Sequence, residues 1–477
     1  MLCAMSRLVT LVLLLACVPL QARTLSPIHV RHTHIDNLSY ELDCLAGLVR
    51  CTRDQLPLAD YIDPVDVERW RETARTAVPS QGPDALALPT ASDLRDVSSR
   101  HRAGAAPGRA LPPPARRALI DKLLRRTSRP WQRELAPELT RQRIGLETAA
   151  SRIELETLLP QIAALFGQAT DNLPPVSLIA IDGARSGSLA TLGQRVAFVE
   201  TPLADTADSR LPVIVHEFVH HWQEGMPAAQ RRELINAFLS APGGCAITAY
   251  HFFDEAVASA IGNGIVESRL LGAAAFASYE ALPESYYADY RVDRIAKALR
   301  TRLEQQLEDG GMLDAAFVGD YIDIAREALG NECSRLDSTL HTVAFVLTSP
   351  ELGAAQRLAQ DRLAPATAFI DVVTANGMRT AATRHTALPV VAVATPDTLS
   401  RLSNWVPAEA LERARQRATE ETRLVHALPR EGGSTAYIVV GDTIDAAAAT
   451  LLQLVVLQRE AFTGEWRPPP LPGSVPD

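Results

Sequence analysis

The chain has 477 residues, 47% of them hydrophobic and 22% charged, so it can bury a sizeable core and divide into two or three domains. Its formal charge of −9 excludes nucleic acid as the main partner, because phosphate binding needs a basic face. At the N-terminus, Arg7 followed by the apolar run Leu8 to Val18 and a small residue at Ala22 reads as an export signal over 1–22. Leu14-Leu15-Ala16-Cys17 also fits a lipobox, which would end the signal at 16 and leave a lipid anchor at Cys17. Either way the mature protein is expected outside the cytoplasm, periplasmic or extracellular. No later segment reaches the roughly 18 uncharged apolar residues of a membrane helix. Cys44, Cys51, Cys245 and Cys333 remain in the mature chain, an even number that suits an oxidising compartment. Cys44 and Cys51 lie close together and are expected to pair, which leaves Cys245 with Cys333; sequence alone allows three connectivities.

Residues 23–117 read as a small helical region running into a Pro-, Ala- and Arg-rich connector, Pro79 to Arg117. From Ala118 leucines and isoleucines recur at three- and four-residue spacing through Phe166, the period of a helix. Val176 to Asp182 and Gln194 to Glu200 read as strands, with a Gly- and Ser-rich loop between them. After Glu224 the chain reads as helical to about Ser349. Beyond Leu352, "AFIDVVTANG", "ALPVVAVATP" and "TAYIVVGD" read as strands between helical runs, and 466–477 as an extended tail. The predicted fold class is α+β, predominantly helical.

"VIVHEFVHHW", Val213 to Trp222, places three histidines and a glutamate in an apolar helix. Ser209 is the expected N-cap, Pro212 sits in the first turn and Gly225 ends the helix. His216 and His220 are four residues apart, so their imidazoles share one face and can chelate one ion. Glu217 lies about 100° away around the helix, where it can act on water instead of joining as a ligand. His221 is one position past the ligand face, which suits a role at the rim.

H-E-F-V-H resembles the H-E-x-x-H motif of the zincin metallopeptidases. In one subgroup the motif continues with a glycine and a third histidine; here those places hold Gln223 and Met226, which excludes it. The resemblance is to the gluzincin-like group, whose third ligand is a glutamate on a later helix. Glu255-Ala256-Val257-Ala258 resembles that segment, with Asp254 and His251 as rival ligands. Glu255 follows His220 by 35 residues, more than is usual, and "PAAQRRELINAFL" would be an extra helix filling the gap. Ala256, Ala258, Ser259, Ala260 and Gly262 would let the second helix approach the first closely. Where the group often has an acidic residue that steadies a zinc histidine, this chain has Ser259; Asp254 or Asn263 are the candidates to replace it.

The resemblance implies a zincin-like metallopeptidase domain over 118–350, with a small sheet and the motif helix, followed by an α/β region over 351–465. It also implies Zn²⁺ held by His216, His220 and Glu255, Glu217 as general base, and a peptide or protein substrate. Tyr250, Tyr287 and His341 are candidate donors to the transition state, alongside Tyr279, Tyr286 and Tyr290. The alternatives are a zincin-fold protein without turnover that binds or scaffolds, and an envelope lipoprotein whose C-terminal region binds envelope components.

Overall fold

The computed structural model describes residues 28–49, 51–52, 56–76, 114–171, 173–182, 190–192, 196–241, 245–363, 367–373, 388–403, 406, 408–420, 423–429, 434–458 and 460–469. The export signal, Cys17, most of the Pro- and Arg-rich connector and the end of the tail lie outside them. Among the described residues the chain is predominantly helical, with two sheets.

The first sheet has the order β1 (Val30–Arg31), β2 (Val176–Ile181), β4 (Ala197–Pro202), β3 (Ala190–Leu192). β1, β2 and β4 run parallel, and β3 is antiparallel to β4 at the edge. Both central strands are buried throughout. Val176, Leu178, Ala180, Ala197 and Val199 face the large helical core, whereas Ile179 and Phe198 face Tyr40. A sheet covered on both sides shows no polar/apolar alternation, which is why these strands read as apolar runs.

Two strands of this sheet are absent from the sequence reading. β3 lies in the Gly- and Ser-rich stretch whose composition predicts a loop, and β1 in the N-terminal region whose pattern predicts helix. Both are too short to carry a period and owe their conformation to pairing with β4 and β2. Beyond the two residues paired with β1, an asparagine side chain continues the ladder along β2. Asn37 donates to Leu178 O at 2.9 Å and accepts from Ala180 N at 2.8 Å. Asn37 belongs to α1 (His34–Leu45), capped by Thr33, whose hydroxyl accepts from Asp36 N at 3.0 Å.

α2 (Pro64–Thr76) and α3 (Pro114–Pro130) join α1 in a satellite core around Leu38, Leu42, Trp70, Ile120 and Leu123. A π-helical turn at Trp131–Leu135 leads to α4 (Ala136–Arg152), then α5 (Leu155–Leu165). After the first sheet come α6 (Leu211–Gly225), α7 (Ala228–Ser240) and α8 (Cys245–Ser259). α7 is the helix expected to fill the long gap between His220 and Glu255. α8 passes without a break into a π-helical segment, Ala260–Val266, and then α9 (Glu267–Leu271). α10 (Ala273–Glu280), α11 (Tyr290–Glu308) and α12 (Ala315–Leu329) complete the helical body.

The helical reading of Glu224 to Ser349 ends early. After the short α13 (Leu336–Thr339), Thr342–Leu347 forms β5, a fully buried strand whose pairing partners all lie later in the chain. α14 (Gly353–Leu363), β6 (Thr367–Val372), β7 (Val390–Ala394), α15 (Ala408–Glu420), β8 (Arg423–Pro429), β9 (Thr435–Gly441), α16 (Ile444–Leu457) and β10 (Gly464–Trp466) follow. The second sheet has the order β10-β8-β9-β7-β5-β6. Its two faces are covered by separate apolar layers, one including Leu399, Leu402 and Leu411, the other including Leu451 and Leu454. β8 falls in one of the stretches that read as helical between the predicted strands. Antiparallel pairing with β9 on one side and β10 on the other makes it a strand. Trp466, placed in the tail by sequence, is the last residue of β10 and pairs with Val425.

Both disulfides form as expected, Cys44–Cys51 with Cα atoms 5.7 Å apart and Cys245–Cys333 with Cα atoms 5.1 Å apart. Among the described residues no helix is long and apolar enough to cross a membrane.

Candidate metal centre

A 3₁₀ turn, Ala207–Arg210, leads into α6. Ser209 does not cap the helix: its hydroxyl donates to Thr206 O at 2.8 Å, within that turn. Arg210 occupies the cap position without a side-chain bond, and Pro212 sits in the first turn, where its missing N–H costs little. Leu211, Ile214, Val215, Phe218, Val219 and Trp222 are buried in the helical core. This apolar surface holds the helix in place, and the two histidines emerge on another side of it.

α8 is buried along nearly its whole length. Its first residue is tied to Cys333 by the disulfide, Thr248 donates to Cys333 O at 2.8 Å, and Tyr321 donates to Ala249 O at 3.1 Å. The following π-helical segment lies directly against α6. A Cβ built on Gly262 would sit 2.5 Å from Pro212 O and 3.0 Å from His216 Cβ, so only glycine fits there. The small residues noted in the sequence thus permit the close approach of the two helices.

That approach brings three ligand atoms together. His216 Nε2 and His220 Nε2 are 3.0 Å apart, and Glu255 Oε2 is 3.2 Å from the first and 3.4 Å from the second. Among the described residues these three side chains form the cluster able to hold a metal ion. Arms of about 2.0–2.1 Å to the corners of a tetrahedron leave the corners about 3.3 Å apart, so the spacing fits zinc. Asp254 and His251, the rival ligands, are on α8 but outside this cluster. Glu217 is half-buried one residue along from His216.

Behind these three side chains, Gln223 bridges the two helices. His220 Nδ1 is 2.9 Å from Gln223 Oε1, and Gln223 Nε2 donates to the backbone carbonyl of Asp254 at 3.2 Å. Asp254 therefore enters through its carbonyl. Asn263 instead donates to Tyr286 O at 2.8 Å and so fixes the tyrosine-rich loop. Sequence reasoning had passed over Gln223. It follows His220 by three residues and so lies on the same face of the helix.

The candidate donors separate in space. Tyr287 stacks on the His216 ring, centroids 6.2 Å apart and planes 12° from parallel. Its loop is held by the Asn263 bond, by Tyr286 N donating to Asp293 Oδ1 at 2.8 Å, and by Tyr286 OH donating to Glu280 Oε1 at 2.7 Å. Burial raises the Tyr279 and Tyr286 hydroxyls above the ordinary tyrosine range, and Glu280 adds to the effect on Tyr286, so both stay protonated donors. Tyr250 packs edge-on against Phe238 and lines a small cavity with Gln223 and Asp254. His341 lies against Phe252, with Nδ1 3.5 Å from Arg291 Nη2 and 3.8 Å from Asp289 Oδ2, in a buried ion-pair network. Tyr290 lies beside the Arg291 guanidinium.

The chain matches no protein-family model, no curated protein and no solved structure.

Proposed function

We propose that the chain is an exported zinc-dependent peptidase built on a zincin-like core. The observation that carries this reading is the convergence of His216 Nε2, His220 Nε2 and Glu255 Oε2 at 3.0–3.4 Å, a spacing at which these three side chains would hold one zinc ion. Two imidazoles and one carboxylate are a borderline-soft donor set that suits zinc and is a poor cage for calcium or magnesium. When bound, zinc supplies Lewis-acid polarisation of the scissile carbonyl and of the attacking water.

The chain's own residues do the rest. Glu217 takes a proton from water as the water oxygen bonds to the carbonyl carbon. It then passes that proton to the leaving nitrogen as the C–N bond breaks, giving a carboxylic acid and an amine, between which the remaining acid proton then equilibrates. Tyr287 is the favoured donor to the developing oxyanion, because its ring stacks on His216. β3, at the edge of its sheet and packed against α6, offers a backbone along which an extended peptide can lie. Two disulfides support the exported location that the N-terminal sequence suggests.

Glu217→Gln keeps the shape and removes the base. Zinc occupancy should stay near one per chain while cleavage of a mixed peptide library falls ~100-fold or more. A wild-type protein that holds zinc, cleaves nothing in the library and is indistinguishable from Glu217→Gln would instead be a binding or scaffold protein.

A further inference from the structure

We propose that Gln223 is a positioning residue that sets His220 and Glu255 in register with each other through a single side-chain amide. The inference rests on the zinc reading of the site, and it concerns a residue outside the ligand set.

The argument runs outward from a fixed point. A backbone carbonyl can only accept, so the Gln223 atom facing Asp254 O at 3.2 Å must be its NH₂ group. That fixes which way the amide is turned, an assignment that is otherwise ambiguous for glutamine. The amide oxygen then faces His220 Nδ1 at 2.9 Å. An amide oxygen also only accepts, so Nδ1 must carry the proton. In the neutral imidazole Nε2 is then left with its lone pair, and Nε2 is the atom that approaches His216 and Glu255. The tautomer needed for metal binding is thus dictated from a carbonyl on the neighbouring helix.

The same carbonyl belongs to the peptide unit that joins Asp254 to Glu255. One amide therefore holds a ligand histidine on α6 at one end and the peptide bearing the third ligand on α8 at the other. Gln223 is 2% exposed, so bulk solvent does not compete for these bonds. Losing the amide would free the His220 ring to rotate and to take the other tautomer, and would loosen the two helices at the level of the ligands.

Three measurements test this on the full exported chain: zinc affinity by chelator competition, the His220 tautomer in metal-free protein by imidazole nitrogen NMR, and the melting temperature of the metal-free protein. Gln223→Met keeps the length and flexibility of the side chain and lacks both hydrogen bonds. The expected result is zinc binding weakened 10–100-fold, a His220 signal moved away from the pure Nδ1–H form, and a metal-free melting temperature changed little by comparison. Gln223→Asn keeps the amide but is one methylene too short to span both partners, and should weaken zinc likewise; it decides the matter if the methionine variant does not fold. Wild-type zinc affinity in a folded variant that has lost the amide overturns the inference and leaves the zinc reading intact. A wild-type protein that binds no zinc overturns the zinc reading, and the inference falls with it. A weaker affinity matched by an equal collapse of the metal-free fold would make Gln223 a packing residue and would also overturn it.

Discussion

Adjacent residues of the motif are given different tasks by the helix that carries them. His216 and His220 share a face because four residues make slightly more than one turn. Glu217 lies about 100° away around the helix, which in the proposed mechanism leaves its carboxylate available for proton transfer. A second carboxylate with an unusual environment lies at Glu267, the first residue of α9. Burial raises its pKa to about 7, and the nearby charge of Asp208 adds to this. The consequence for stability has a definite sign. Below the ordinary value of 4.5 the group is protonated in both folded and unfolded chains and costs nothing. Between there and about 7 the unfolded chain gives up the proton first, so stability falls as pH rises; above about 7 the cost is constant. Glu267→Gln should therefore raise the melting temperature at pH 8 and leave it nearly unchanged at pH 4. An equal shift at both values would show that the carboxylate is not strained by its surroundings.

At the scale of elements, the site depends on how closely α6 and the α8–π–α9 rod can pack. Gly262 sits at the contact, and a methyl group there would meet both a backbone oxygen and the base of His216. Gly262→Ala should destabilise the protein by about 1–3 kcal/mol, the usual range for overpacking. It should also weaken zinc binding, because the displaced rod carries Glu255. Denaturant midpoints and chelator competition measure the two effects; an alanine variant with unchanged values of both would mean the interface has slack. Much of this level was legible in sequence. The motif helix, the filling helix α7 and the run of small residues all have local signatures of period and composition. The π-helical segment at Ala260–Val266 was not legible, since it arises from packing against α6. Gln223 was passed over because its meaning depends on a carbonyl 31 residues further along the chain.

At the scale of the whole molecule, the sequence reading errs where strands are defined by partners rather than by pattern. β1 and β3 are two and three residues long, and only their ladders make them strands. β5 lies at the end of a long helical stretch and β8 directly after a helix, and both pair with segments distant in sequence or across a turn. The Cys44–Cys51 bridge was anticipated from the short spacing of its cysteines, and Cys245–Cys333 only as the pair that remained. The Cys245–Cys333 bridge closes a span of 88 residues and anchors the start of the helix that bears Glu255, so the covalent framework and the proposed metal centre share one element. The central claim is that this framework holds one zinc between α6 and α8. Metal content per chain, measured by mass spectrometry on purified mature protein, tests it most directly. The account predicts about one zinc in the wild type and almost none in the His216→Ala/His220→Ala double variant. Stoichiometric zinc persisting in that folded double variant, or a wild-type protein that stays metal-free in excess zinc, would contradict it.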